Sequence, residues 1–396
     1  MIKLDEALQI VLGSARPLGS ERVELGSARK RVLGEDVASD MDMPPFDKAL
    51  RDGYACRRAD LGHMLTVIET IPAGVAPTRE VGPDQCAKIM TGAALPRGAD
   101  GVIMVEQTEP AGENVIRFTG EWTPDHLSRR AEDIERGQIV LRKGCPIEPP
   151  QVAVLASVGC VRPRVAKRPR VGVLASGSEV VPPASRPGLS QIRNSNGPQL
   201  LAQLAAVGVK AKDYGIVGDT ATDVDRVLKA ALSENDVVVI SGGVSVGDFD
   251  LIPAGLRQNG VSLLFEKVAV KPGKPTLFGL REDTYCFGLP GNPVSTFVIF
   301  ELIVKPFLYK LMGCDYAPFT VQMYLDEGIA REDTDRQSWI PVRRTSATTV
   351  RAVEYHGSAH ISALCEADGL ISMESGVTGI AQAAPVCVRL LARTGM

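Results

Sequence analysis

The chain has 396 residues, 44% hydrophobic and 23% charged, with 44 Lys+Arg against 47 Asp+Glu and a net charge of −3. This length exceeds one ordinary core and predicts about two to four domains. The near-neutral balance excludes a global basic field, and with it nucleic acid as the main partner. Residues 1–12 lack a signal-peptide apolar core and no apolar run approaches bilayer-spanning length, so a cytoplasmic protein with no membrane association is expected. The eight cysteines contain no Cys-x-x-Cys pair, and the four histidines complete no zinc pattern; Cys160, Cys286 and Cys387 lie in apolar runs and read as buried small residues.

Leu4, Ala7, Leu8, Val11 and Leu12 repeat at helical spacing, and Gly13 and Pro17 end that helix. From about Pro44 to Leu141, short apolar runs at 65–68, 87–90, 101–105, 115–118 and 139–141, broken by Gly and Pro, predict a β-rich domain. The apolar stretch 151–157 leads into 162–170, a basic run with two prolines that reads as a solvated connector. Strands are then expected at 171–175, 209–214, 236–240, 263–270 and 286–289. Helices alternate with them at 199–207 and 222–232, followed by 294–311 with an interruption at Pro306. Such alternation predicts a mostly parallel sheet covered by helices on both faces. After Pro318 the helical period gives way to strand-like runs at 321–325, 339–343, 348–353 and 386–391, which predict a small C-terminal β domain.

In an open parallel sheet, ligands bind beyond the carboxyl ends of the strands. Three loops hold that position here: Ser176-Gly-Ser-Glu179, the run from Ser241 through Gly242, Gly243, Ser245 and Asp248 to Asp250, and Pro290-Gly291-Asn292-Pro293-Val-Ser295. Gly242 and Gly243 allow backbone amides close to an anion. Asn292 suits a helix N-cap and Pro293 the first helical position, which aims a helix N-terminus at a phosphate or carboxylate. Lys271-Pro-Gly-Lys274-Pro275 imitates the tail of a P-loop, but Pro275 replaces the magnesium-binding hydroxyl; Lys271 and Lys274 remain point charges for phosphate. Gly243-Val-Ser245-Val-Gly247 matches a nucleophile elbow, with Asp283 and His356 or His360 as nominal partners; the strand stops at Ile240, short of the serine, so a serine hydrolase is disfavoured. Carboxylates recur beside glycine turns at Asp52, Asp133, Asp219 and Asp250, the hard oxygen donors that magnesium takes.

Eight motifs follow in order: Pro44-Pro-Phe-Asp47, Arg51-Asp-Gly-Tyr-Ala55, Ile89-Met-Thr-Gly-Ala93, Leu95-Pro-Arg-Gly-Ala-Asp100, Ser241-Gly-Gly-Val-Ser-Val-Gly247, Lys271-Pro-Gly-Lys-Pro275, Leu289-Pro-Gly-Asn-Pro-Val-Ser295 and His356-Gly-Ser358. Together they resemble the molybdopterin molybdenumtransferase family over essentially the whole chain. The resemblance implies a multidomain α/β plus β protein in four parts. These are a linker domain (1–43 with 142–168), a β-rich domain (44–141), a molybdopterin-binding α/β domain (169–318) with a mostly parallel sheet, and a C-terminal β-barrel (319–396). It implies a homodimer whose site lies where the β-rich domain of one subunit faces the α/β domain of the other. It also implies adenylyl-molybdopterin and molybdate as substrates, Mg2+ or another divalent metal, and release of AMP as molybdenum joins the dithiolene. A molybdopterin adenylyltransferase and acceptor molybdoenzymes are implied as partners.

On the matching positions, the resemblance implies a catalytic set of Asp52, Thr91, Asp133, Glu179, Asp219 and Asp250, with the metal near Asp52, Asp219 or Asp250. Substrate contacts fall to Ser241, Gly242, Gly243, Ser245, Lys271, Lys274, Pro290, Gly291, Asn292, Pro293 and Ser358, the last with nearby Arg or Lys facing molybdate. Four departures stand out: Lys48-Ala-Leu-Arg51 replaces Asn-Ser-Ala-Met, Ala131 replaces a Gly, Ser178 replaces an Asp, and Pro341 replaces an Arg, with Arg343 and Arg344 close by. The alternatives are a diverged, non-catalytic molybdopterin-binding paralogue or scaffold, and an adenylyltransferase acting one step earlier. The retained acids argue against the first and the additional domains against the second.

Overall fold

The computed structural model describes residues 1–244 and 251–391; Ser245, Asp248 and Asp250 lie outside the described residues. The central sheet runs, in spatial order, Ala211–Val217, Val171–Ser176, Val237–Ser241, Thr284–Leu289, Leu277–Arg281 and Ser262–Phe265. The first four strands are mutually parallel; Leu277–Arg281 is antiparallel to them, and Ser262–Phe265 pairs antiparallel with Leu277–Arg281. Val171–Ser176 and Val237–Ser241 are buried at every residue, as expected of strands covered on both faces. Phe278, Phe287 and Phe307 close the core under the helices, with Phe278–Phe287 ring centroids 4.9 Å apart and Phe287–Phe307 5.1 Å apart. Burying each such ring contributes roughly 1.5–3 kcal/mol. The N-terminal helix Leu4–Ser14 joins the same core through Leu4, Ala7 and Val11.

The long helix expected over 294–311 is three pieces: Pro293–Ile299, a wider π turn Phe300–Val304, and Lys305–Leu311. Pro306 has no N–H to give Leu302 and its ring crowds that carbonyl, so the break falls one turn before the proline.

In the N-terminal half, a six-stranded sheet runs Gly101–Met104, Gly53–Cys56, Gln85–Ile89, Met64–Ile71, Val115–Phe118 and Thr108–Gly112. Ile139–Leu141 is not part of it, pairing with Val37–Ala38 instead. The basic run read as a solvated connector contains a strand, Arg164–Ala166, paired with Ser20–Arg22 and burying Val165 completely. The strand's basic charge is confined to its first residue: Arg164 faces water, while Val165 and Ala166 are both buried.

The C-terminal part closes into a five-stranded ring through Gln337–Arg344, Thr349–Ala352, Thr320–Leu325, Pro385–Leu390 and Gly369–Met373, with the last returning to the first. Gly369–Met373, absent from the sequence-based expectation, is the strand that closes it. Of the cysteines expected inside, Cys286 is buried, with its thiol pushed up to about 12 by burial. Cys160 is half-buried, and Cys387 is exposed because its strand alternates and Val386 and Val388 take the inward positions.

Candidate functional site

Order reverses between the first two α/β crossovers: from Val171–Ser176 the chain moves to one neighbour, Ala211–Val217, and then to the other, Val237–Ser241. The crevice beyond Ser176 and Ser241 is therefore the place where both loops diverge. Three adjoining cavities occupy it. One, of about 380 Å3, is bordered by Ser176, Glu179, Arg193, Asn196, Gly291 and Asn292 among others. A second, of about 280 Å3, is bordered by Glu179, Asp219, Gly242, Gly243, Pro275 and Pro290. The third, of about 560 Å3, is bordered by Lys271, Lys274, Ser295, Arg336, Asn292 and Ser358. The loop Pro290–Asn292 forms the shared wall.

The two glycines after Ile240 are sterically required. Gly242 and Gly243 have φ of +88° and +66°, and a Cβ at Gly242 would lie 2.3 Å from Ser176 O. The Gly242 amide is not available to a ligand, however, because it donates to Leu289 O at 3.0 Å. Asp219 is tied to the first loop, accepting from Ser178 N at 2.7 Å and Ser176 Oγ at 3.5 Å. Ser241 is buried, with its hydroxyl engaged by neighbours.

Asn292 and Pro293 take the N-cap and first helical positions of Pro293–Ile299. The Asn292 side chain does not cap its own helix; its amide donates to Ser358 Oγ at 2.7 Å, and Val294 N donates to Ser358 O at 3.0 Å. The C-terminal barrel loop thus occupies part of the helix start. On the far side of that loop, Lys271 Nζ and Arg336 both meet Asp333, at 3.1 and 2.9 Å. Those two bonds and the Asp335 amide hold the Asp333 carboxyl down at about 2. Lys271 is brought to the barrel because Val270–Lys271 pairs with Gln337–Ser338.

Asp52 and Thr91 form a separate unit on the β-rich sheet. Strand register sets Gly53 opposite Ile89, which places the preceding residue of one strand beside the following residues of the other. Asp52 Oδ1 accepts from Thr91 N at 2.6 Å and from Thr91 Oγ1 at 2.7 Å, and these bonds hold its carboxyl below the ordinary value. Gly53 permits the close packing: a Cβ there would fall 1.9 Å from Ile103 O. Asp133 N donates to Met43 O at 3.0 Å, beside the cis Met43–Pro44 bond. Within one chain, Asp52, Thr91 and Asp133 border none of the three cavities.

The nominal hydrolase partners do not assemble. Asp283 precedes the strand Thr284–Leu289 whose far end leads to Pro290, so about 20 Å of strand separates it from the crevice, and it pairs with Arg16. His356 and His360 stack on each other at 5.1 Å.

Three residues escaped the sequence reading. Arg193 and Asn196 border the first cavity, and Arg336 borders the third. Arg343 and Arg344, the nearby substitutes for Pro341, are elsewhere: Arg343 pairs with Glu366, and Arg344 borders a groove with Phe319 and Leu390. Arg336 was detectable as the residue just before the strand that the Lys271 segment pairs with, but that pairing has no sequence signature.

Comparison with known proteins agrees with this architecture. Residues 2–159 match the family described as MoeA N-terminal region (domain I and II), residues 172–310 a probable molybdopterin binding domain, and residues 330–391 the MoeA C-terminal region (domain IV). A molybdopterin molybdenumtransferase of Staphylococcus epidermidis is 34% identical, the match covering 96% of this chain and 93% of the relative. One of Bacillus subtilis is 32% identical over 98% and 94%. The crystal structure of a molybdopterin biosynthesis moeA protein from Pyrococcus horikoshii OT3 superposes with a TM-score of 0.86 at 29% identity, covering 99% of this chain and all of that one.

Proposed function

The chain belongs to the molybdopterin molybdenumtransferase family, enzymes of molybdenum cofactor biosynthesis, and from that premise we propose that it joins molybdenum from molybdate to the dithiolene of adenylyl-molybdopterin and releases AMP. The observation that carries this reading is the set of three adjoining cavities around Pro290–Asn292, with acids on one side and Lys271, Lys274 and Arg336 on the other. A tetrahedral dianion suits the cationic cavity, where Ser295 and Ser358 add hydroxyl donors. The nucleotide-bearing pterin suits the two cavities under the glycine loop.

Asp52 and Asp219 offer hard oxygen donors: among the described residues, Asp52 Oδ1 takes both Thr91 bonds, and Asp219 Oδ2 takes Ser178 N while its Oδ1 has only the long contact to Ser176 Oγ. That donor set fits Mg2+, and with Asp250 these residues would hold it. A bound divalent ion would neutralise charge on the phosphoanhydride. Thr91 keeps Asp52 ionised and oriented, Glu179 divides the first two cavities, and Pro290 and Pro293 fix the wall between the substrates. Because Asp52, Thr91 and Asp133 border none of the three cavities around Pro290–Asn292, we read the active form as a homodimer in which they face the crevice of the partner subunit. A cytoplasmic setting, supply of substrate by a molybdopterin adenylyltransferase and delivery to acceptor molybdoenzymes complete the proposal.

The test is an assay of the purified chain with adenylyl-molybdopterin, magnesium and molybdate. AMP release should depend on molybdate and yield metal-loaded cofactor, and Asp52→Ala should slow it while leaving the fold intact. Release that ignores molybdate, or a fully active Asp52→Ala, overturns the proposal.

A further inference from the structure

Asn196 stands in the first turn of the helix Asn196–Ala206, buried to all but 8% of its surface. Its side-chain nitrogen donates to Ser241 Oγ at 2.7 Å and to Gly291 O at 2.7 Å. A primary amide has two hydrogens, and both are used. Ser241 Oγ, having accepted from Asn196, donates to Pro290 O at 3.3 Å. Thr296 Oγ1 donates to the same carbonyl at 2.6 Å. Side chains from two helices and one strand end thus converge on two successive carbonyls of the loop that separates the cavities.

The consequence is electrostatic. A carbonyl oxygen left facing a cavity repels an anionic ligand, and a buried one left unbonded is costly. Here the Pro290 and Gly291 oxygens are engaged by these side chains, so their negative ends are satisfied within the protein instead of being left for a ligand to meet.

We infer that Asn196 is a positioning residue of the transferase site: acting directly on Gly291 and through Ser241 on Pro290, it keeps both carbonyl oxygens away from the anionic pterin substrate. The inference rests on the proposed function of these cavities. Asn196→Ala removes both donors. Asn196→Asp keeps the shape but replaces the donors with a carboxylate oxygen facing Gly291 O. Ser241→Ala breaks the relay to Pro290 alone.

The experiment compares steady-state kinetics of the full-length wild type with the three variants and with the double variant Asn196→Ala/Ser241→Ala. The expected result is a rise of about tenfold or more in KM for adenylyl-molybdopterin in Asn196→Ala, larger in Asn196→Asp, with kcat changed much less and the KM for molybdate unchanged. Because both residues act on one loop, the double variant should fall short of the product of the single effects. A role confined to stability would lower the yield of folded protein without moving KM. If Asn196→Ala fails to fold, the isosteric Asn196→Asp carries the test. Folded variants with wild-type KM overturn the inference and leave the proposed function standing. A wild type that neither turns over nor binds adenosine diphosphate, used as the phosphoanhydride probe in calorimetry, overturns both.

Discussion

The Asn292 side-chain amide donates to Ser358 Oγ across 2.7 Å, joining the loop of the α/β domain to the C-terminal barrel at the wall between the acidic and cationic cavities. Ser358 also accepts Val294 N on its backbone oxygen, so the barrel loop is docked twice, once through a side chain and once through the main chain.

That division of labour separates docking from chemistry. Ser358→Ala removes the hydroxyl but keeps the backbone bond from Val294. A single part-exposed hydrogen bond contributes about 0.5–1.5 kcal/mol, so the variant should fold with little loss of stability. The molybdate concentration for half-maximal turnover should nevertheless rise several-fold, with the pterin KM unchanged. Unaltered molybdate dependence would remove Ser358 from the oxyanion site.

Ala131 carries strain that a glycine would not. Its φ is +61°, and its amide is held by Pro44 O at 3.0 Å. A left-handed backbone costs a Cβ-bearing residue about 1–2 kcal/mol, while glycine loses about 0.5–1 kcal/mol more in freedom on folding. The net expectation for Ala131→Gly is a gain of about 0.5–1 kcal/mol. Urea unfolding monitored by the β-rich domain checks the sign; a lower midpoint refutes it.

Much of the architecture was legible because local rules and tertiary context agreed. Uniformly apolar runs such as 237–240 read as buried strands, and the loops after Ser176, Ser241 and Leu289 were identified from glycine and proline placement. Asn196 was not, for a specific reason. The apolar period begins at Leu200, so the expected helix began at Gln199, leaving Asn196 in the loop; the actual helix starts three residues earlier on polar residues. Propensity misses such starts because Asn gains its place from Ser241 and Gly291, residues 45 and 95 positions away. Val165 was hidden by the basic run around it, and Arg336 by a strand pairing between the α/β part and the C-terminal barrel. Asn196, Val165 and Arg336 were thus each placed by a contact distant in sequence.

Asp333 offers a pH test of the cation cluster. Its carboxyl is lowered from 3.8 to about 2, chiefly by Arg336 and then Lys271. A group depressed in the folded state stabilises fully above its unfolded value, and that contribution disappears as pH falls toward the folded value. The advantage of wild type over Asp333→Asn should therefore be constant above 3.8 and shrink between there and about 2. Parallel thermal unfolding of the two proteins across this range checks it. A difference that grows on acidification contradicts the assignment.

Thr91 sets the ionisation of Asp52 through two bonds of different kinds, a backbone amide and a hydroxyl, the amide having the larger effect. Both favour the charged carboxylate, so removing one raises the carboxyl pKa without restoring the unperturbed value. Thr91→Val deletes only the hydroxyl and retains the branched shape that suits the end of a strand. The Asp52 carboxyl should then titrate at higher pH than in the wild type, still below 3.8 because the Thr91 amide remains. Thr91→Ser, which restores a hydroxyl, should return it toward the wild-type position. Carbon-detected NMR of the carboxylate reads this directly, independent of turnover. Since activity needs the ionised form on the proposed reading, the acid side of the pH–rate profile should move in the same direction. Identical Asp52 titrations in Thr91→Val and Thr91→Ser would show that the hydroxyl has no part in tuning the acid.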